Sequence, residues 1–387
     1  MSAITANRID QVLQDAVASG AVPNVVAVAA DRHGTIYTGA AGPRTIGGDD
    51  PVSADSTFRI ASMTKLVTTT AALQLIEQGD LEVDAPVERY RPEWAELRVL
   101  EGFDGDTPRL RAPRRPATVR HLLTHTSGLA YQFWNVDTLR YEAVTGTPSV
   151  TAGRAAAFAS PLVADPGTKL EYGISTDWLG RVVEAVSGQT LDAYATEHVL
   201  RPLGMERTSF SIDDAQRAQL VPTHLLRDGT WVVTKLDWVR EPEYWSGGHG
   251  LYSTPNDYLR LQRMLLNGGT LDGVEVLHHE TVDAAFTNQI GDLEFPAAIA
   301  TADPATSADF NVGPGHKFGL GLLLNGSRQP GMREAGSGSW AGLFNTYFWV
   351  DLKSGVTGAV YTQTLPFVAP AVFQVSADFE RALYASL

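Results

Sequence analysis

The chain contains no cysteine, which excludes disulfides, thiol nucleophiles and metal sites built on thiolates. Lysine is scarce: Lys65, Lys169, Lys235, Lys317 and Lys353 are the only five. No apolar run is long enough to cross a bilayer, and no block of like charges forms a binding tail. The opening residues Met1-Ser2-Ala3-Ile4-Thr5 lack the basic region and long apolar stretch of a secretory signal. The Gly-x-Ser-x-Gly elbow of the α/β-hydrolases is missing. Positive charge is in deficit, and the formal charge of −14 disfavours nucleic acid or an acidic membrane surface as partner. A soluble, cytoplasmic protein is expected. At 387 residues it is long for one domain and short for three, with ordinary apolar content and so a sizeable core.

What is present centres on Phe58-Arg59-Ile60-Ala61-Ser62-Met63-Thr64-Lys65-Leu66. From Leu66 through Ala71, Ala72, Leu73, Leu75 and Ile76 the sequence is apolar nearly all round, so a buried helix is expected, stopped by Gly79. Ser62 then lies at a helix N-terminus, with Lys65 one turn on and on the same face. The terminus offers free N–H groups and partial positive charge. A serine nucleophile needs such surroundings: a base for its proton and donors for the oxyanion. The alternative is an N-cap serine followed by a chance lysine. Against it, a lysine opening a buried helix is costly to desolvate unless it has partners.

Along the chain, Ile9, Val12, Leu13, Ala16 and Val17 give a first helix, followed by a hairpin from Asn24–Ala30 and Thr35–Thr38. Residues 98–118, rich in Pro, Arg and Gly, read as a surface loop. Helical patterns follow at 119–125, 152–159, 176–187, 190–199 and 255–267. Residues 291–316 read as a long loop. Strands are expected at 317–324, 343–350 and 356–364, and a last helix at 368–385. The fold class is therefore α/β of the α+β type: an antiparallel sheet from both termini, flanked by helices, with a mainly helical insertion. The expected division is 1–80 with 310–387 as the sheet domain and 81–309 as the helical domain.

Three further stretches bear on chemistry. Tyr172, in Leu170-Glu171-Tyr172-Gly173-Ile174, sits at a loop edge before a helix. A phenol near an ammonium is expected to have a lowered pKa, so a Tyr–Lys pair can act as the base. The alternative is a buried core tyrosine. In Gly336-Ser337-Gly338-Ser339-Trp340-Ala341-Gly342-Leu343, small residues, Gly342 included, let a substrate approach the backbone. The Leu343 N–H could there pair with that of Ser62 as an oxyanion hole. His121 and His125, at i and i+4, have zinc-like spacing, but the Glu of His-Glu-x-x-His is absent and a structural turn is preferred. No metal or other cofactor is expected.

Together these stretches resemble the serine β-lactamase and DD-peptidase superfamily, closest to class C β-lactamases and the family VIII carboxylesterases. The resemblance covers most of the chain: Ser62-x-x-Lys65, the His121–Leu129 turn, Tyr172 with Asp177-Trp178-Leu179-Gly180, Ser246-Gly247-Gly248-His249-Gly250-Leu251, and the terminal sheet. It implies a site between a sheet domain and a helical domain. Ser62 would be the acylated nucleophile, Lys65 and Tyr172 would share its proton, and the amides of Ser62 and Leu343 would form the oxyanion hole. Two departures stand out. The Lys-Thr-Gly of β-lactamases looks replaced by Trp340-Ala341-Gly342; Lys317-Phe318-Gly319 falls one strand too early. Ile174 stands where class C enzymes have the Asn of Tyr-x-Asn. An indole cannot bind a carboxylate as an ammonium does, but it can pack on an apolar acyl or alcohol group.

The expectation is a serine carboxylesterase acting on small, short-chain esters, with Tyr172 preferred as general base and the reverse assignment to Lys65 open. Tyr131, Phe133, Trp134, Trp245, Trp340, Gly342 and His249 are the expected substrate contacts. The rivals are an amide hydrolase or transacylase on the same fold, and a non-catalytic binding protein.

Overall fold

The computed structural model describes residues 3–387. It opens with helix α1 (Ala3–Ala18), followed by the hairpin β1 (Val25–Asp31) and β2 (Thr35–Ala41). The buried helix α2 spans Thr64–Glu77. The middle of the chain carries α3 (Ser175–Ser187) and α4 (Pro255–Leu266), and the last part returns to strands. These are β3 (Lys317–Phe318), β4 (Leu323–Leu324), β5 (Gly338–Gly342), β6 (Thr346–Asp351) and β7 (Val356–Tyr361), closed by α5 (Pro370–Tyr384). The sheet has seven antiparallel strands in the order β3-β4-β5-β6-β7-β1-β2. The first hairpin thus docks beside the last long strand, with Val26 opposite Tyr361.

Both faces of this sheet are covered, which explains the unbroken apolar run of β1. Successive residues of a strand point to opposite faces. Val25, Ala27 and Ala29 pack with α1 and α5, through Ile9, Leu13, Phe379 and Leu383. Val26, Val28 and Ala30 belong to the larger core that holds α2 and α4. Helix α2 is buried from Thr64 through Leu75. Two of its buried hydroxyls are bonded: Thr68 Oγ1 donates to the Gly247 carbonyl at 2.9 Å, and Thr64 Oγ1 accepts from the Leu251 amide at 3.1 Å.

Several expectations shift. Residues 98–118 are no plain loop: Val99–Asp104 and Thr107–Arg111 pair as a hairpin, hidden because much of it is exposed and Pro and Arg mask the alternation. The strand expected at 317–324 is broken by a turn at Gly319–Gly321. The one expected at 343–350 starts at Thr346, because a tight turn with Asn345 at φ +60° separates it from β5. Five strands rather than three therefore come from the C-terminal part. The 152–159 pattern forms short 3-10 turns, and the 291–316 loop is pinned by a two-residue pairing of Ala298–Ile299 with Phe310–Asn311. A helix at Val136–Thr145 has no apolar stripe to announce it.

Candidate active site

A strained turn positions Ser62. Ala61 has φ +44°, in the left-handed region that a residue with a Cβ enters only at a cost. One 3-10 turn, Ala61–Met63, then feeds α2. Ala61 and Met63 are buried while Ser62 lines a cleft. Tyr258 Oη donates to the Met63 carbonyl at 2.8 Å and anchors the turn from behind.

The end of β5 presses against this turn. A Cβ on Gly342 would lie 2.3 Å from the Ile60 carbonyl oxygen and 2.3 Å from Thr346 Oγ1. Only glycine allows that approach. It brings Leu343 to the same cleft as Ser62. Neither the Ser62 amide nor the Leu343 amide has an acceptor among the described residues, as two donors reserved for an oxyanion require.

Lys65 is buried and tightly bonded. Its Nζ lies 3.1 Å from Ser62 Oγ, 2.9 Å from Tyr131 Oη and 2.8 Å from the Gly248 carbonyl. Burial pushes its pKa down to about 7, against the opposing pull of the Asp177 carboxylate. A good share of the amine is therefore neutral near physiological pH and can take a proton from Ser62.

Tyr172 is buried beside it, with its ring centroid 4.9 Å from Lys65 Nζ. Its expected pKa shift is reversed. Burial pushes the phenol up, and the hydrogen bonds with Ser62 and Trp340 only partly offset that. The phenol keeps its proton, and the neutral Lys65 is the better resting base. Trp340 Nε1 donates to Tyr172 Oη at 3.1 Å, so this indole orients the phenol besides walling the cleft. Tyr131 is likewise pushed up by burial, and it touches Lys65 directly, a role its loop position did not reveal.

The cleft holds about 300 Å³. Of the expected substrate contacts, Tyr131, Phe133, Trp134, Trp340 and His249 line it; Gly342 and Trp245 do not. Gly342 is spent on the Ile60 approach, and Trp245 packs on Phe210 at 5.7 Å beside a separate small pocket. Trp238, Phe310 and Phe367 add to the aromatic walls from stretches with no periodicity to flag them, and Tyr347 joins them from β6. The cleft's arginines are already engaged: Arg333 bonds Glu380 at 3.0 Å and Arg381 bonds Asp378 at 3.1 Å.

Behind Lys65 lies a chain that sequence reasoning missed. The buried Asp177 opens α3, and its Oδ1 accepts from Ser246 Oγ at 2.5 Å and from the Gly248 amide at 3.0 Å. Ser246 Oγ is in turn 2.6 Å from His249 Nδ1. Burial pushes His249 down to about 4, so the ring is neutral. His121 and His125 do unrelated work. His121 Nδ1 accepts from the Thr118 amide at 3.1 Å in a helix cap, whereas the buried His125 ring packs 4.7 Å from that of Tyr172. No group of three or more His, Asp or Glu is arranged to hold a metal ion among the described residues.

Known proteins resemble this chain along its whole length. The family model described as Beta-lactamase matches residues 9–382. Monacolin J acid methylbutanoyltransferase of Aspergillus terreus is 32% identical over 399 residues, covering 97% of this chain and 95% of that one. Lovastatin esterase of Penicillium rubens is 32% identical over 398 residues, covering 97% and 98%. The structure of simvastatin synthase (LovD) from Aspergillus terreus, unliganded, superposes with a TM-score of 0.86 at 30% identity, covering 100% of this chain and 99% of that one. The chain therefore belongs to the Beta-lactamase family and is an enzyme of the serine-hydrolase type on the β-lactamase fold.

Proposed function

We propose that this protein cleaves small carboxylic esters through an acyl-enzyme on Ser62. One observation carries the reading: a buried Lys65 amine, its pKa lowered by burial, lies 3.1 Å from a hydroxyl on a strained turn beside two amides with no acceptor among the described residues. Ser62 Oγ attacks the ester carbonyl and gives its proton to Lys65 Nζ. The oxyanion sits on the Ser62 and Leu343 N–H groups. As the intermediate collapses, the carbon–oxygen bond to the alcohol breaks, and the proton passes from Lys65 to the departing oxygen by way of the Tyr172 phenol. Water then attacks the acyl carbon and frees the acid. The active cleft lies between the unit of 1–80 with 310–387 and the unit of 81–309.

The walls favour esters over β-lactams or peptides ending in a carboxylate. The cleft offers indole and phenyl faces where β-lactamases have a lysine, and its arginines are paired with acids. The relatives named as a methylbutanoyltransferase and an esterase support an ester substrate with a short acyl group. They also support a second reading, capture of the same acyl group by an alcohol. A cleft walled by aromatics can seat the carbon skeleton of such an acceptor.

Hydrolysis of p-nitrophenyl butyrate by the parent and by Ser62→Ala tests the proposal. The expected result is turnover in the parent, loss of at least about 10³-fold in the variant, and a butyryl mass adduct on Ser62. Equal turnover by both proteins would remove Ser62 as nucleophile.

A further inference from the structure

The Asp177–Ser246–His249 chain ends in the cleft, and the proposed acylation does not use it. Its hydrogens can be assigned by elimination. A carboxylate only accepts, so the single Ser246 hydroxyl proton goes to Asp177 Oδ1. The contact between Ser246 Oγ and His249 Nδ1 is then a donation from the ring, Nδ1–H to oxygen. In a neutral ring this leaves the lone pair on Nε2. That nitrogen has no hydrogen-bond partner among the described residues, and His249 lines the cleft with Ser62.

Two contacts fix the ring beside the reaction centre. The Gly248 carbonyl, one residue back, bonds Lys65 Nζ at 2.8 Å. The ring packs edge-on to Trp238 at 5.1 Å, and Trp238 packs against the cluster that includes Ala61 and Leu343. A neutral, fixed acceptor therefore lines the cleft that holds Ser62, one residue from the carbonyl that bonds Lys65.

We propose that His249 Nε2 holds the hydrolytic water over acyl-Ser62 and so biases the enzyme toward hydrolysis rather than acyl transfer. This rests on the acyl-enzyme reading above. Water carries two hydrogens. One is donated to Nε2 and stays on the oxygen; the other passes to Lys65 Nζ as the oxygen attacks. The new carbon–oxygen bond forms, the bond from the acyl carbon to Ser62 Oγ breaks, and Lys65 returns its proton to Oγ. An alcohol has one hydrogen and cannot satisfy both groups at once. With its O–H aimed at Lys65 it gives no hydrogen to Nε2, and a bond that water makes at this partly buried acceptor is lost.

The test uses His249→Asn, whose amide can keep the Ser246 contact while removing Nε2. With p-nitrophenyl butyrate as donor and 1-butanol as acceptor, three quantities are read: the p-nitrophenol burst, the life of the butyryl adduct by intact mass, and the ratio of butyl butyrate to butyrate. The expected result is a burst rate within about threefold of the parent, adduct hydrolysis slower by about 10- to 100-fold, and a product ratio raised about tenfold. Ser246→Ala, which frees the ring, should show a smaller change of the same kind. His249→Gln, whose amide oxygen can reach the Nε2 position, should recover part of the hydrolysis. Burst and both products falling together would mark His249 as structural and overturn the inference. So would an unchanged product ratio with the adduct cleared at the parent rate. Absence of any adduct in the parent would instead bring down the acyl-enzyme reading, and this inference with it.

Discussion

Trp340 donates its indole N–H to the phenol oxygen of Tyr172 across 3.1 Å. The bond gives the phenol a direction. With the indole occupying one side of the oxygen, Ser62 is its hydrogen-bonding neighbour on another. It also means that Trp340 supplies a donor to the site as well as an apolar wall.

Trp340→Phe keeps a ring on the cleft wall and deletes that donor. The phenolate character that Tyr172 needs in the transition state then loses a charge-assisted hydrogen bond, and kcat should fall by about 10- to 100-fold. KM for p-nitrophenyl butyrate should stay within about twofold, because the apolar wall remains. Steady-state kinetics checks both numbers. A variant with parental kcat would show that the indole N–H is idle.

The acid limb of the rate profile should belong to Lys65. Its amine must be unprotonated to receive the Ser62 proton, and burial sets its pKa at about 7. The rate of acylation should therefore be high above pH 7 and fall about tenfold per pH unit below it. Burst rates for p-nitrophenyl butyrate measured from pH 5 to 9 give the profile. Lys65→Arg, charged throughout that range, should lose the limb and about 10³-fold or more in rate.

The same amine makes stability depend on pH. Its folded pKa of about 7 lies below the ordinary 10.5, so between those values the unfolded chain binds more protons than the folded one. Stability must then rise with pH across that window, and the full penalty stands below pH 7. Lys65→Met carries no such penalty. It leaves Tyr131 Oη and the Gly248 carbonyl without their partner, so the absolute change is a sum of opposing effects. The slope is not: the melting temperature of Lys65→Met minus that of the parent should shrink steadily from pH 7 to pH 10. A constant difference would mean that Lys65 is not desolvated in the folded enzyme.

Much of this was legible in the amino-acid order, and the reasons are local. Ser62 and Lys65 are three residues apart, so a helix alone brings them together. Strand β1 carries an unbroken apolar run from Val25 to Ala30, and helix α2 is buried from Thr64 to Leu75, its apolar residues interrupted only by small threonines, Lys65 and Gln74. Tyr172 and Trp340 stood out through the family pattern around them. What stayed hidden depends on separation. Asp177 and Ser246 lie 69 residues apart, and nothing in either stretch announces the other. Trp238 and Phe310 reach the cleft from irregular segments whose path is set by tertiary packing. The direction of the Tyr172 shift was misjudged because charge proximity can be guessed from sequence, whereas depth of burial cannot.

Gly342 offers the sharpest separation of catalysis from stability. A methyl group there meets the Ile60 carbonyl and Thr346 Oγ1, each at 2.3 Å, so β5 must back away from the Ser62 turn. The Leu343 amide moves with it. An oxyanion donor displaced from its position costs about 10²- to 10³-fold in kcat, while overpacking itself costs about 1–3 kcal/mol. Gly338, on the same strand, supplies the control. A Cβ there would lie 2.7 Å from Phe286 and 2.9 Å from Leu322, both side chains away from Ser62. Gly338→Ala should therefore lose comparable stability with kcat within about threefold. Gly342→Ala should lose kcat by about 10²-fold or more at similar stability. Melting temperatures and kcat for the two variants decide the matter: if their activities fall alike, the loss follows overpacking of the strand, and the Leu343 amide is not an oxyanion donor.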